Sequence, residues 1–146
     1  MRRAGPAGWD GGVRAEQDTP PPEVLARLTQ EPRAWLCTVR ADGSPHVTPV
    51  WFVFRDGRWW IGTDGRAVKV RNIDRDPRVS LSLEDGRLPV VAEGVARVHR
   101  GPFPPEIVRA FQAKYAWDVT AVRDPRGGRV LLEVPVRRWL LAGVAQ

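Results

Sequence analysis

The stretch HVTPVWFVFRDGRWWIGTDGRAVKVRN, residues 46–72, carries the alternation, the turns and the charge that decide the fold. His46–Phe54 are apolar and β-prone, and Asp56-Gly57 follows as a tight-turn signal, because glycine accepts the positive φ such turns require. RWWIGT, residues 58–63, reads as the returning strand. Pro49 interrupts the first strand in its best part. Proline has no N–H to give to a ladder and is confined to edges and bulges. A ladder broken at Pro49 leaves main-chain groups of Thr48, Val50 and Trp51 without strand partners, and buried main-chain groups must be paired with something. Water or another loop would serve; so would a planar heterocycle with donors and acceptors of its own.

The second half of the stretch has two readings as well. Thr63 or Asp64 can cap a helix beginning near Arg66, and a helix start presents free N–H groups and partial positive charge. Arg66 and Lys69 are three residues apart and share a helical face. This is either a capped surface helix with a solvated charged face or a phosphate site. If VTPVW and RWWIGT are hairpin partners, Thr63 lies beside the start of the earlier strand. The broken ladder and the anion site are then adjacent, and a ring held by one with a phosphate held by the other describes a flavin-like nucleotide.

Outward from this stretch the strands continue. AWLCTVR (34–40) precedes it; RVSLSLED (78–85), LPVVAEGVARVHR (88–100), RVLLEVPV (129–136) and RRWLLAGVA (137–145) follow. Short helices are expected over TPPPEVLARLTQEP (19–32), over the segment after Thr63, and over GPFPPEIVRAFQAKYAWD (101–118), with prolines where missing N–H groups do no harm. Six or seven closely spaced strands with helices at the margins read as mainly β, an antiparallel barrel whose closure removes exposed edges. Residues 1–18 read as a flexible N-terminal tail and residues 19–146 as one domain.

The chain has 146 residues, a net charge of +6 and a single cysteine, Cys37. One cysteine excludes an intrachain disulfide and a cysteine-cluster metal site, and Cys37 reads as a buried apolar thiol. No apolar run approaches the ~20 residues of a membrane span, and the N-terminal stretch lacks the apolar core of a secretory signal; the expected compartment is the cytoplasm. His46 and His99 have no carboxylates at metal-ligand spacing, so no metal is expected. Nearly all the positive charge is arginine, which makes the two lysines, Lys69 and Lys114, worth locating. The arginine-rich surface carries no nucleic-acid motif, so nucleic acid is not an expected partner. Trp59 and Trp60 are adjacent on one strand and point to opposite faces, so one of them should form a subunit interface or a pocket wall.

Several short motifs in order resemble one family. TPVWF (48–52), a following Asp-Gly, Thr63, Lys69 and Asn72 in register, and RDPRVSL (75–81) resemble the pyridoxamine 5'-phosphate oxidase-like split-barrel family over residues 22–143. KYAWD (114–118) is similar to the KYGWD segment of the branch that uses the deazaflavin coenzyme F-420. The resemblance implies a six-stranded antiparallel split β-barrel of the FMN-binding type and a homodimer with cofactor sites at its interface. It implies that the backbone of Thr48, Pro49, Val50 and Trp51 lies along the cofactor ring, that Thr63, Arg66 and Lys69 approach the phosphate with Asn72 supporting the turn, and that Lys114, Tyr115 and Trp117 close the pocket. VRRWLLAGVAQ (136–146) has arginines but no histidine, so the substrate-binding pair of a vitamin B6 oxidase is missing. The implied activity is hydride transfer from reduced coenzyme F-420 to a conjugated small-molecule acceptor, with Arg66, Arg71 and Arg75 placed to meet the coenzyme's anionic tail. An FMN-dependent oxidoreductase, or a non-catalytic flavin- or haem-type binding module, would use the same barrel. No catalytic residue is identifiable; a bound water or Tyr115 would supply the proton.

Overall fold

The computed structural model describes residues 12–14 and 19–143. In chain order its elements are β1 (Gly12–Arg14), α1 (Pro22–Gln30), β2 (Ala34–Val39), β3 (Pro45–Val50), β4 (Val53–Arg55), β5 (Arg58–Asp64), α2 (Val68–Arg75), β6 (Arg78–Leu83), β7 (Val91–Val95), β8 (Arg97–His99), α3 (Pro105–Tyr115) and β9 (Arg129–Leu140). Every ladder is antiparallel, and the strands follow the order β3-β2-β6-β7-β9-β5-β4, with β1 and β8 also paired to β9. The mainly β split-barrel class expected from the sequence holds, but the described residues form nine strands rather than six. The tail expected over residues 1–18 lies outside the described residues apart from Gly12–Arg14, which pair with Arg138–Leu140. Among the described residues, no helix is long and apolar enough to cross a membrane.

The extra strands have local causes. The run expected as one strand, His46–Phe54, divides at Trp51–Phe52: β3 pairs with β2, and β4 pairs with β5. The two ends of the strand order are therefore joined by covalent chain, not by a ladder. The break expected at Pro49 is not there. Pro49 sits opposite Trp35 and the β2–β3 register continues through it to Val50 opposite Ala34. Proline is tolerated because β3 is an edge strand with only β2 as its partner. Residues 88–100 also divide: β7 pairs with β6 and with the later part of β9, β8 pairs with the earlier part of β9, and Ala96 between them donates to Pro77 O at 2.8 Å. The two strands expected at the C-terminal end are instead the single β9, since nothing between Val134 and Arg138 can make a tight turn. Pro135 lies at its changeover: up to that residue β9 pairs with β5, and from Val136 onward with β7.

Two clusters cover the two faces of the β4-β5-β9 region. Phe52, Trp59, Ile61, Leu132 and Trp139 point into the barrel with Leu28, Leu36 and Leu81. Val53, Trp60 and Leu131 point the other way and pack under Ile107 and Phe111 of α3 and Val119. Consecutive residues therefore alternate between two dry environments, as a strand buried on both faces must. Trp59 and Trp60 do face opposite sides, but neither is left outside: Trp60 is covered by the chain's own helix. Glu133, buried on β9, is paired with Arg58 at 3.2 Å and lies 2.7 Å from His99 Nε2, which offsets the cost of a carboxylate out of water. Cys37 is half-buried rather than buried.

Candidate functional site

The β4–β5 hairpin turns at Asp56-Gly57, both with positive φ (53° and 74°), and zips from Arg55 opposite Arg58 to Val53 opposite Trp60. The same register carried further would set Phe52 against Ile61, Trp51 against Gly62, Val50 against Thr63 and Pro49 against Asp64. None of these pairs forms a ladder. The chain turns away to join β2, and β5 keeps β9 on its other side. The gap is a cleft of about 340 Å3 walled by Pro49, Val50 and Trp51 on one side and Ile61, Gly62, Thr63 and Asp64 on the other, with Trp117 and the cations Lys69, Arg123 and Arg129 completing its lining. Its walls are thus the unzipped continuation of a hairpin, and their facing main-chain edges have no strand partner.

Charge is concentrated at the β5 end. Arg129, at the start of β9, is opposite Asp64, and its side chain is 7% exposed. Its Nη1 donates to Asp64 Oδ1 at 3.0 Å and its Nε to Val119 O at 3.1 Å, while Nη2 is buried with no partner. The Trp117 ring lies 5.2 Å from the guanidinium. Lys69, half-buried on α2, makes no hydrogen bond or ion pair among the described residues. Burial holds its ammonium below the ordinary lysine range; Asp64 partly opposes this and Arg129 adds to it. One carboxylate among three cations leaves the cleft electropositive, and a buried guanidinium nitrogen without an acceptor is a costly arrangement that an anionic ligand relieves. Gly62 makes this convergence possible: a Cβ there would stand 2.2 Å from Val119 Cγ2 and 3.2 Å from Arg129 Nη2.

Of the residues expected at a cofactor site, the fold brings Pro49, Val50, Trp51, Thr63, Lys69 and Trp117 into this one cleft. It does so without the expected pairing of VTPVW with RWWIGT, since only β4 is β5's hairpin partner. The other five do not line it. Thr48 lies opposite Leu36, with its Oγ1 buried and unpartnered. Arg66 is exposed beside Gly127. Asn72 is buried and donates through Nδ2 to Thr38 Oγ1 at 3.0 Å while accepting from Arg75 Nη2 at 3.1 Å, which ties α2 to β2. Arg75 also donates to Val39 O. The helix start differs too: α2 begins at Val68, with Ala67 as N-cap and no side-chain cap from Thr63 or Asp64.

Lys114 and Tyr115 stand behind the cleft. Lys114 Nζ donates to Leu28 O at 3.2 Å, near the end of α1, and sits 3.8 Å over the Phe52 ring, whose face favours the charged form. Burial nonetheless brings this ammonium down to about 8. The Tyr115 hydroxyl accepts from Phe52 N at 2.9 Å and has one hydrogen to donate to Phe52 O (2.8 Å) or Pro32 O (2.9 Å). Burial pushes it up to about 12. With its hydroxyl engaged by main chain away from the cleft, Tyr115 is not placed as the proton donor considered from the sequence. Its ring stacks on Trp51, centroids 4.6 Å apart and planes within 6°, and Trp117 meets Trp51 edge-on at 5.4 Å. Arg123, Arg129 and Gly62 line the cleft without standing out in the sequence, and Asp64, a candidate helix cap there, instead holds Arg129. The available signal was one arginine between a Gly-Gly turn and an apolar strand, and its coupling to Asp64 spans 65 residues.

Comparison with known proteins agrees with this architecture. The chain is 36% identical over 121 residues to the F-420H(2)-dependent biliverdin reductase of Mycobacterium tuberculosis, covering 81% of this chain and 85% of that protein. Among solved structures it resembles an F-420 reductase (TM-score 0.66, 23% identity, 83% of this chain and 98% of the other). It also resembles HutZ, the haem storage protein of Vibrio cholerae (TM-score 0.70, 18% identity, 91% and 98%). At those identities the two structures speak for the fold. The family model for pyridoxamine 5'-phosphate oxidase matches residues 20–142, and the chain belongs to that family.

Proposed function

We propose that the protein is a coenzyme F-420-dependent reductase that passes a hydride to a conjugated, electron-poor small molecule. The observation that carries this reading is the cleft between β3 and β5. It offers two unpaired strand edges for a planar ring and, at one end, a buried unpartnered guanidinium nitrogen beside Lys69 for an anion. The 36% identical biliverdin reductase names the deazaflavin as the ring-bearing coenzyme that suits it.

When bound, the reduced coenzyme supplies the hydride. The protein's part is to bind and orient. Pro49, Val50 and Trp51 on one edge and Ile61 and Gly62 on the other flank the ring. Lys69 and Arg129 hold the phosphate, with Thr63 beside them and Asp64 fixing the Arg129 fork. Arg123, and the exposed Arg66 and Arg71, extend the positive field towards an anionic tail. Trp51, 45% exposed, and Trp117 give an aromatic wall against which a flat acceptor can lie. Lys69 and Arg129 are committed to the phosphate in this reading, so water entering at the cleft's mouth supplies the proton.

The outer face of β2–β3 carries Trp35 opposite Pro49 and Cys37 opposite Val47, with Trp35 46% and Val47 53% exposed. This apolar patch adjoins the cleft through Pro49 and is the surface on which a second copy of the chain would pack to make a homodimer.

The test is a titration of the purified protein with oxidised coenzyme F-420 and, in parallel, with FMN, followed by cofactor fluorescence. Micromolar or tighter binding with preference for the deazaflavin, and turnover of its reduced form with a conjugated acceptor, is the expected result. Preference for FMN assigns the cleft to a flavin-dependent enzyme, and binding without turnover of any acceptor assigns it to a carrier.

A further inference from the structure

We infer that Tyr115 is a positioning residue that fixes one wall of the cleft, where β3 and β4 part, by holding the buried main chain of Phe52 and the ring of Trp51. Phe52 is the first residue past the zipped hairpin, and its side chain is fully buried. A buried residue there must satisfy both its N–H and its C=O. A single hydroxyl is placed for both: Tyr115 Oη accepts from Phe52 N at 2.9 Å, and its one hydrogen can go to Phe52 O at 2.8 Å, with Pro32 O at 2.9 Å as the alternative acceptor. In the hairpin's register Phe52 would stand opposite Ile61 at a non-hydrogen-bonded position, so its main-chain groups point away from β5 to an edge that no strand covers, and the hydroxyl engages them at the point where β3 and β5 separate. The same side chain fixes the next residue towards the cleft, because its ring lies parallel to Trp51 at 4.6 Å. Neighbouring contacts hold this end of α3 in place. Pro32 O lies beside the Tyr115 hydroxyl, and the neighbouring Lys114 donates to Leu28 O and covers the Phe52 ring. The end of α3 thus positions one wall of a cleft that its tyrosine does not line, acting through Phe52 and Trp51.

The binding arm of the test rests on the proposed deazaflavin reading; the exchange arm does not. In the unliganded wild-type protein the Phe52 amide, though outside every ladder, is expected to show slow hydrogen exchange comparable with the β4–β5 amides. In Tyr115→Phe, which keeps the ring stack and removes the hydroxyl, that amide is expected to exchange at least tenfold faster while the β5–β9 amides are unchanged. Coenzyme F-420 binding, read by fluorescence quenching, is expected to weaken at least tenfold in the same variant. Val79→Ala, a cavity in the β6 wall outside the cleft lining, serves as the comparison: it lowers the melting temperature and leaves the coenzyme Kd unchanged. Fast exchange at Phe52 in the wild type, or unchanged Phe52 exchange in Tyr115→Phe, overturns the positioning role. Faster exchange with an unchanged Kd overturns the link between Phe52 and the cleft. A wild-type protein that fails to bind the coenzyme removes the functional reading, and the exchange arm then decides the role of Tyr115 alone.

Discussion

The β4–β5 stem and the β3–β5 gap are built from the same two stretches of chain on either side of one turn, yet they end in opposite states. In the stem, residues 53–55 pair with 58–60, and α3 covers the outer face with Ile107 and Phe111. In the gap, residues 49–51 and 61–64 face each other across open space, with Lys69 and Arg129 at the end. Composition does not separate them: Val50 and Trp51 are as β-prone as Val53 and Phe54. The difference lies in competing partners. Phe54 has only β5 to pair with, whereas Val50 is taken by Ala34 of β2. A site arises where a strand is claimed by a different sheet just before its hairpin would close.

Substitutions can break this comparison if the two regions are not energetically separate. Removing Trp60 from the stem should have the largest effect. Trp60→Ala empties the cluster beneath α3 and should cost about 3–5 kcal/mol of stability in denaturant unfolding, while the coenzyme Kd of the folded fraction changes less than about threefold, within the roughly 0.5 kcal/mol expected of independent sites. A large loss of affinity there would show that stem and gap are one unit. Arg129→Gln should act the other way round. It removes the buried cation of the gap and should weaken coenzyme binding by about 3 kcal/mol, the upper range for hydrogen bonds to charged groups. Lys69→Ala should weaken binding by about 2 kcal/mol, because this ammonium is half-buried rather than enclosed. Wild-type affinity should also fall as pH rises through the Lys69 titration, which burial places below the ordinary lysine range; an alkaline limb that survives in Lys69→Ala would assign it to another group.

The smallest effect concerns the brace behind the gap. Lys114 titrates near 8 in the folded protein against 10.5 as a free side chain, so between those values the unfolded chain binds more protons. Stability should therefore rise with pH across that window, and the penalty is fully present below it. Solvent around this half-exposed group limits the rise to about 1 kcal/mol. Lys114→Met should abolish the rise; a slope that persists would place the titration elsewhere.

What could be read from the sequence was local. Asp56-Gly57 announced its turn because the required backbone is encoded in two residues, and helix entries through Pro22 and Pro105 were legible for the same reason. Spacing alone brought Pro49, Val50 and Trp51 to one neighbourhood with Thr63 and Lys69, though through a strand pairing the fold does not make, and the family resemblance added Trp117. The break was misplaced at Pro49 because proline disrupts a ladder only on its bonded edge, and which edge is bonded depends on β2. Arg129 escaped notice because its meaning comes from Asp64, a register partner across β5–β9. Within one chain Lys114 and Tyr115 make their polar contacts with Leu28, Pro32 and Phe52 behind the cleft, partners that lie 63 or more residues away in sequence.

β9 has a consequence for how the chain reaches this state. Over its 12 residues it is the strand partner of β1, β5, β7 and β8. Until residues 129–140 have left the ribosome, β5 has only the three-residue β4 beside it, β8 lacks a ladder neighbour, and the inner cluster lacks Leu132, Val134 and Trp139. Neither half of the barrel can be finished first and used as a template for the other. Assembly is therefore governed by contacts distant in sequence, which makes for slow closure. The expected unfolding is a single cooperative event in which both halves are lost together.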